Sequence, residues 1–469
     1  MEQRWKVLIL TSVGLFMASL DLFIVNLAFP DLARSFDGAS LPDLSWVLNG
    51  YAIVFAALLV PAGRIADRVG RKRVFLLGLV VFSLASALCA AAPSVEALVG
   101  ARVLQAVGGA MMIPTTLGLI LPAFPPEQRA LAIGIWSAVG GVAAALGPPL
   151  GGLLVQLSWH WIFIVNVPTG LIAAVIGWRV LDEVREPEDG RPDLLGAAML
   201  ALGIGVLTLG IVKGPDWGWG DPRDVAAFAA AAALVAGFLY RSAHHRAPVI
   251  ELPLLRVRSF ALANSATLVF FAGFGAMLLA GVLLLTEVWG YSALRAGFAL
   301  SPGPLMAAAF AVPAGRLGGR IGPRPIAAVG GLLFAASFAW ILATVDAGSS
   351  YASSFLPGFM IGGAGVGLTL GTLPAAATAA LPPSRFATGT AVFSMARQLG
   401  SAIGVAILVA LLNDSTGGDL LAGLRRGWWF CLGAGLAASL LAVAIGPVGA
   451  ENKRSAAPKA AAARSSAAA

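Results

Sequence analysis

The chain has 469 residues, of which 58% are hydrophobic and 12% are charged, and its formal net charge is +8. Soluble domains carry about 25% charged residues, so this composition excludes an ordinary soluble protein. A bilayer-spanning helix needs about 20 mostly apolar residues, and about fourteen runs of that kind follow one another along the chain. The polar connections between them are mostly short, which excludes a separate soluble domain.

These runs predict an all-α polytopic membrane protein with 14 spans. The count is even, so both termini are expected on the same side of the membrane. The shortest run is the eighth. In chain order the runs are residues 5–29, 45–66, 74–93, 95–120, 130–155, 160–181, 193–213, 224–241, 259–289, 295–315, 325–344, 351–374, 386–412 and 426–447.

Lysine and arginine are distributed unevenly between the two sides of the predicted membrane. With residue 1 inside, roughly 23 of the 31 fall in cytoplasmic loops and tails, as the positive-inside rule requires. Two of the arginines, Arg102 and Arg397, fall within the membrane. Both termini are therefore predicted to be cytoplasmic. The basic excess faces anionic lipid, and no nucleic-acid partner is expected.

The loop that follows the second run is repeated later in the chain. Residues 63–73 read GRIADRVGRKR and residues 315–325 read GRLGGRIGPRP, 252 positions further on. Duplicated helical modules are common in transporters. The repeat divides the chain into an N-terminal six-helix bundle (1–185), two linking transmembrane helices (193–241) and a C-terminal six-helix bundle (259–447). The tail, 451–469, is rich in Ala, Ser, Lys and Arg, and is predicted to be disordered.

Two charged residues are predicted to lie at the same depth. Asp21 is about 22 Å from the cytoplasmic end of the first run, and Arg102 lies about 10 Å below the outer face in the fourth. A carboxylate so deep in a membrane faces a cavity or a partner, so the two side chains are expected to pair, directly or through water. Burial favours the neutral acid and pairing favours the charged one, so a movement of Arg102 would load or release a proton. A purely structural role remains the alternative for both residues.

Further residues are candidates for proton coupling or for the substrate cavity. Arg397 lies near the predicted midplane, where it needs a cavity or a partner; a functional and a structural role stay open. Glu287 ends the ninth run beside aromatic residues and is either an interfacial carboxylate or a second protonatable site. Polar and aromatic residues that could line a substrate cavity are Asn26, Gln105, Trp136, Asn166, Phe271 and Arg397.

The loop GRIADRVGRKR is similar to the signature loop of the major facilitator superfamily, and with fourteen spans the chain resembles the superfamily's drug:proton antiporter family. Further matches are SLDLFIVNLAFPDL in the first span, ARVLQAVGGAMMIPTTL in the fourth, GGVAAALGPPLGG in the fifth and ARQLGSAIGVA in the thirteenth. The resemblance implies a major facilitator fold of two six-helix bundles plus two extra helices, which exposes a central cavity to each side alternately.

The resemblance also implies roles for individual residues. Asp21 and Arg102 would couple transport to protons, although the RxxQG motif of span four has Ala106 in place of its glycine. Gly147, Pro148, Gly151 and Gly152 resemble the antiporter motif that is associated with exporters. A conformational gate, holding the bundles together inside in one state, would comprise Gly63, Asp67, Arg68, Gly70, Arg71 and Lys72. The second copy of this loop lacks the acid, because Gly319 stands at its place.

The sequence therefore predicts a proton-coupled antiporter that exports hydrophobic drugs, antibiotics or metabolites, cationic ones included. The expected partners are protons, lipid and the substrate, and the protein is expected to be a monomer in a bacterial inner membrane. A lipid transporter and a proton-symport importer are the alternatives. No cofactor, metal or enzyme activity is expected, since the sequence contains no GxxxxGK[ST], HExxH or GxSxG pattern and Cys89 and Cys431 form no metal spacing.

Overall fold

The computed structural model describes residues 2–36, 38–186, 190–381, 385–413 and 419–446. Within these residues it contains 14 helices that are long and apolar enough to cross a membrane, and no strand. The predicted all-α fold with fourteen spans is thus confirmed. The helices are α1 (Gln3–Ser35), α2 (Leu41–Val69), α3 (Arg71–Ala90), α4 (Val95–Ala123), α5 (Leu131–Leu157), α6 (Trp161–Val180), α7 (Leu194–Trp217), α8 (Pro222–His244), α9 (Arg258–Val288), α10 (Ala293–Ile321), α11 (Pro323–Thr344), α12 (Tyr351–Thr378), α13 (Thr388–Asn413) and α14 (Leu420–Ala444). The tail predicted to be disordered, 451–469, lies outside the described residues.

The two copies of the repeated loop turn in the same way. Gly70 alone connects α2 to α3, and Gly322 alone connects α10 to α11. Their φ angles are +128° and +93°, in a region that side chains with a Cβ rarely adopt. A single glycine therefore reverses the chain at the equivalent place in each bundle. We call the side of the membrane that carries these loops the inner side.

Local sequence also explains where several helices begin or break. At the outer end of α2, Ser40 and Asp43 form a capping box. In α10, a short helix (Ala293–Leu300) stops at Ser301 and the helix resumes at Pro302, which has no N–H to donate to the preceding turn. Both α9 and α12 contain a π-helical turn at the outer end, at Leu284–Val288 and Tyr351–Phe355.

One apolar cluster shared by both bundles fills the outer half of the molecule. There, Phe29 and Leu48 of the first bundle share one cluster with Phe270 and Leu300 of the second. Toward the inner side, the first bundle has clusters of its own, which include Phe75. The second bundle likewise packs separately inside, in a cluster that includes Phe393.

The α7–α8 hairpin closes one flank of the molecule. Leu200 of α7 and Phe238 of α8 share an apolar cluster with Ala56 of α2 and Met395 of α13. At the outer end, Lys213 of α7 donates to Asp43 at 3.0 Å. The hairpin therefore covers the line along which α2 of the first bundle meets α13 of the second.

The opposite flank, between α5 and α10, is closed outside and open inside. A Cβ built on Gly152 of α5 would lie 2.6 Å from the carbonyl oxygen of Ala293 in α10. Gly134 lies 18 residues earlier, which is about five helical turns, so it is on the same face of α5. A Cβ on Gly134 would meet nothing within 4 Å. On this flank the two bundles therefore separate toward the inner side, as in an inward-facing transporter, while α2 and α13 stay packed together on the other flank.

Candidate functional site

Asp21 and Arg102 form a direct ion pair inside the first bundle. Arg102 Nη1 lies 2.5 Å from Asp21 Oδ2, and the two side chains are 1% and 0% exposed. Gln105, one turn further along α4, donates from Nε2 to Asp21 Oδ1 at 3.0 Å and accepts from Arg102 Nη1 at 2.6 Å. Both carboxylate oxygens are thus engaged, which is the arrangement that a buried ionised acid requires. The pairing predicted from membrane depth is confirmed.

The surroundings of the pair hold the arginine in place. Arg102 Nε donates to the carbonyl oxygen of Val47 at 3.1 Å, and the Tyr51 ring lies 4.2 Å from the guanidinium carbon. Ser86 accepts from Gln105 at 2.8 Å and from Asn166 at 3.2 Å. Helices α1, α2, α3, α4 and α6 therefore all contribute to one buried polar cluster. A proton that neutralised Asp21 would weaken the strongest contact of Arg102.

A small cavity of about 30 Å³ lies between the bundles beside this cluster. Arg102 lines it together with Asn26 and Asn49 from the first bundle and Gly275 and Ser401 from the second. The amide oxygen of Asn26 and both side-chain polar atoms of Asn49 are buried without a hydrogen-bond partner. A cavity of this size holds about two water molecules, which such polar atoms would bind. Because Arg102 itself lines the cavity, water bound there would lie next to the Asp21–Arg102 pair.

Arg397 of α13 lies one turn to the inner side of this cavity. It precedes Ser401 by four residues, and Phe271 precedes Gly275 by four residues on α9, so both sit about 6 Å below the cavity wall. The guanidinium carbon of Arg397 is 5.9 Å from the centre of the Phe271 ring. Arg397 makes no hydrogen bond or ion pair with any residue in the described part of the chain. Its side chain is partly buried, and helical spacing puts it on about the same face of α13 as Ser401, which lines the cavity.

The antiporter-like motif forms the outer closure. Gly147 and Gly151 let α5 approach Phe23 and Ile24 of α1, where a Cβ would lie 2.5 and 3.1 Å from the nearest atoms. On the adjacent face, a Cβ on Gly297 of α10 would lie 2.2 Å from the carbonyl oxygen of Pro148. These glycines thus allow α1, α5 and α10 to meet closely, because a larger residue at Gly147 or Gly297 would clash and one at Gly151 would be tight.

The signature loop makes its contacts within the first half of the chain. Arg71 pairs with Asp67 at 2.7 Å and with Glu186 at 2.7 Å, and it donates to the carbonyl oxygen of Gly118 at 3.1 Å. Lys72 Nζ donates to the carbonyl oxygen of Trp178 at 2.8 Å. In this state, these two cations tie α2, α3, α4 and the segment after α6 together.

The remaining gate residues complete this arrangement. Arg68 donates to the carbonyl oxygen of Gly190 at 3.3 Å, and Gly63 packs against Pro114 of α4. A different carboxylate links the bundles on the inner side. Glu251, in the segment between α8 and α9, pairs with Arg64 of α2 at 3.4 Å and with Arg385, which precedes α13.

Three predicted site residues lie away from the cavity. Glu287 is at the outer end of α9 and pairs with Arg34 of α1 at 3.0 Å, so it links the bundles on the outer side. Trp136 packs against a cluster around Phe124 near the inner end of the first bundle. Asn166 is buried in the polar cluster on the far side of Ser86. The structure brings together Asp21, Arg102, Gln105 and Asn26, and it places Arg397 beside Phe271 about one turn to the inner side of the cavity.

Comparison with known proteins identifies the family. A family model described as Major Facilitator Superfamily matches residues 11–284 and again residues 265–468. The chain belongs to the Major Facilitator Superfamily. The first match covers the first six helices, the α7–α8 hairpin and most of α9, and the second begins within α9 and covers the remaining helices. The inferred resemblance to the fourteen-span drug-export branch of this superfamily is confirmed by the relatives.

The chain is similar to the Tetracenomycin C resistance and export protein of Streptomyces glaucescens, with 35% identity over 88% of this chain and 77% of the relative. It is 34% identical to the Multidrug resistance protein Stp of Mycobacterium tuberculosis, over 86% of this chain and 75% of that one. The probable multidrug resistance protein EmrY of Escherichia coli is 30% identical, over 87% of this chain and 80% of its own length.

Solved structures share the fold at low identity. A bacterial homologue of the human lysosomal transporter Spinster has a TM-score of 0.66 and 18% identity, covering 95% of this chain and 96% of its own. A POT family peptide transporter has a TM-score of 0.67 and 16% identity, covering 93% and 96%. The chain therefore shares its fold with these solved transporter structures.

Sequence reasoning missed several residues of the site. Asn49 is a lone amide in the apolar second span, and Ser86 and Ser401 are hydroxyls in apolar spans. An unexplained polar residue within a membrane span is itself a signal of function. Glu251 lies in a polar linker where nothing in the local pattern distinguishes it from its neighbours.

Proposed function

We propose that this superfamily member is a proton-coupled antiporter that exports hydrophobic drugs, antibiotics or metabolites from the cytoplasm of a bacterium. The observation that carries the proposal is the buried Asp21–Arg102 pair beside a polar cavity at the boundary of the two bundles. A carboxylate at this place can exchange a proton with the cavity, and its partner belongs to a different helix, α4. The names of the relatives, which are resistance and export proteins, support the direction of transport.

The cycle follows from the charges. In the inward-facing state, ionised Asp21 holds Arg102, and substrate reaches the central cavity through the opening between α5 and α10. When the outer side opens, a proton that enters the cavity neutralises Asp21 and releases Arg102. The freed arginine then turns toward the polar atoms of the cavity, such as Asn49, because an unpaired buried charge is costly. Release of the proton inside restores the pair.

Alternating access would open and close the outer and inner ends of the α5–α10 contact in turn. Close glycine contacts around Pro148 hold the outer end shut in the present state, and the face around Gly134 leaves the inner end open. Rocking one bundle against the other around the central cavity would reverse the two ends. The α7–α8 hairpin, packed on α2 and α13, would act as the hinge flank.

The proposal includes the cellular setting. The protein would act as a monomer in the bacterial inner membrane, with lipid, protons and a small hydrophobic substrate as partners. It would need no cofactor and catalyse no reaction, since the proton gradient supplies the energy. The polar cavity and the inner opening would equally admit a lipid, so lipid transport is the outcome to test against export.

The experiment uses purified protein in liposomes with an acid interior and a trapped pH-sensitive dye. A panel of lipophilic cations, neutral antibiotics, aromatic acids and lipids is added to wild type and to Asp21→Asn. Compounds that alkalinise the interior with wild type and leave it unchanged with Asp21→Asn support proton-coupled exchange. Lipid scrambling without proton movement, or a proton flux that survives Asp21→Asn, would contradict the proposal.

A further inference from the structure

We propose that Arg397 is an anion-binding residue of the substrate site, and that this exporter selects compounds that join an acidic group to an aromatic body. The inference rests on the proposed export function and names its substrate class. It begins from the charges within the central part of the membrane, where the sequence places Asp21, Arg102 and Arg397. The first two neutralise each other at 2.5 Å.

Arg397 is left with a positive charge that no described side chain balances. An unpaired cation within a membrane is costly, and such residues mark the paths of substrates and ions. Arg102 shows how a buried arginine of this protein is satisfied, because it is 1% exposed and has three hydrogen bonds to Asp21, Gln105 and Val47. Arg397 is partly buried and has no such bonds among the described residues.

The surroundings of Arg397 indicate what the missing partner is. Its guanidinium lies 5.9 Å from the Phe271 ring, which contacts Phe274 edge-on at 5.4 Å. These side chains place an aromatic surface next to a cation. A planar fork of N–H donors binds a carboxylate through two parallel hydrogen bonds. A phenolate would also bind. An aromatic acid therefore satisfies both features at once, while a lipophilic cation would be repelled by Arg397.

The position of Arg397 fits a contact made during loading from the inner side. It lies about 6 Å to the inner side of Ser401, where the polar cavity begins, and on the helix that borders that cavity. A substrate that moves outward from the opening between the bundles would meet Arg397 first and Asn26 and Asn49 next. Arg397 then compensates the substrate's charge without disturbing the Asp21–Arg102 pair, so anion binding and proton binding use separate arginines.

The experiment measures binding, which does not depend on proton coupling. The probes are anthraquinone-2-carboxylate and anthraquinone-2-carboxamide, which share one ring system and differ in charge. Equilibrium dialysis at pH 7.5 is carried out on detergent-purified wild type, Arg397→Gln and Arg397→Lys. The control is Arg295→Gln, since Arg295 is an arginine at the outer end of α10 that stacks on the Tyr291 ring at 3.8 Å, away from the cavity.

We expect wild type and Arg295→Gln to bind the carboxylate about tenfold more tightly than the amide, as one charge-assisted pair gives. Arg397→Gln should bind the two probes equally, with unchanged affinity for the amide, and Arg397→Lys should keep part of the preference. Equal binding of the two probes by wild type, or a preference that survives Arg397→Gln, would overturn the inference. Equal binding by wild type overturns the inference even when a variant does not fold, and Arg397→Lys provides a second variant in which the preference should change.

The two proposals fail separately. One outcome is that addition of the amide to wild-type liposomes alkalinises the interior while wild type binds the carboxylate no more tightly than the amide. In that case the export proposal stands and the anion site does not. If the acid binds through Arg397 but neither probe moves protons, the anion site stands and proton-coupled export of these compounds does not. Failure of both probes to bind wild type overturns the assignment of aromatic acids as substrates.

Discussion

Replacing Asp21 with asparagine should separate substrate transport from the proton gradient. Asparagine keeps the shape of the side chain and can still accept the hydrogen bond that Gln105 donates at 3.0 Å. It cannot release or bind the proton. One pH unit corresponds to about 1.36 kcal/mol per proton, so a gradient of two units sustains a substrate ratio of about 100 at one proton per substrate. The variant should reach a ratio of about 1.

The same change should lower stability by a predictable amount. Arg102 loses its counter-ion at 2.5 Å but keeps its bonds to Gln105 and to the carbonyl oxygen of Val47. Removing one member of a buried ion pair costs about 3–5 kcal/mol, and we expect the lower end because these bonds remain. The double variant Asp21→Asn/Arg102→Gln leaves no unpaired charge and should recover most of this loss without recovering coupling.

The assay compares two modes in the same liposomes. Counterflow, in which labelled substrate exchanges for unlabelled substrate without a gradient, should stay within about threefold of wild type, a difference of less than 1 kcal/mol in transition-state energy. Accumulation driven by the pH gradient should disappear. Asp31→Asn is the matched control, because Asp31 is an acid on the same helix that pairs with Arg34 at 3.2 Å near the outer surface. Gradient-driven accumulation in Asp21→Asn at the wild-type ratio would refute the reasoning.

Three further substitutions test the contacts between the two bundles. Gly152→Ala should open the outer end of the α5–α10 contact, because its Cβ would lie 2.6 Å from the carbonyl oxygen of Ala293, and external labelling of a cysteine placed at this contact should increase. Glu251→Gln removes a link that holds α2 and α13 together on the inner side; a partly exposed pair contributes about 1 kcal/mol, so the population with a widened inner side should rise about fivefold in distance measurements across that side. Glu287→Gln removes only an exposed pair with Arg34, so gradient-driven accumulation should remain within about twofold of wild type. Its complete loss would show that Glu287 carries a coupled proton.

The sequence by itself determined the membrane architecture. Fourteen spans, the inner position of both signature loops and the duplication follow from run length, charge distribution and one repeated loop, because crossing a bilayer depends on local hydrophobicity and helix length. The depth of Asp21 and Arg102 also followed, because each residue of a helix advances the chain by a fixed rise. Counting along two spans was enough to predict that these side chains meet.

Only the tertiary structure decided which helices lie next to each other and how each helix is rotated about its own axis. The sequence did not indicate that Gln105 would share Asp21 with Arg102, that Asn49 would face a cavity, or that Glu251 would link the bundles. Trp136 and Phe271 are both aromatic residues in apolar spans, yet only Phe271 lies beside Arg397. A membrane-spanning helix is apolar on nearly every side. Hydrophobicity therefore predicts the depth of a residue in the membrane but not the direction in which its side chain points. Packing between small residues such as Gly152 and Gly297 fixes that direction, and with it which side of the protein is open.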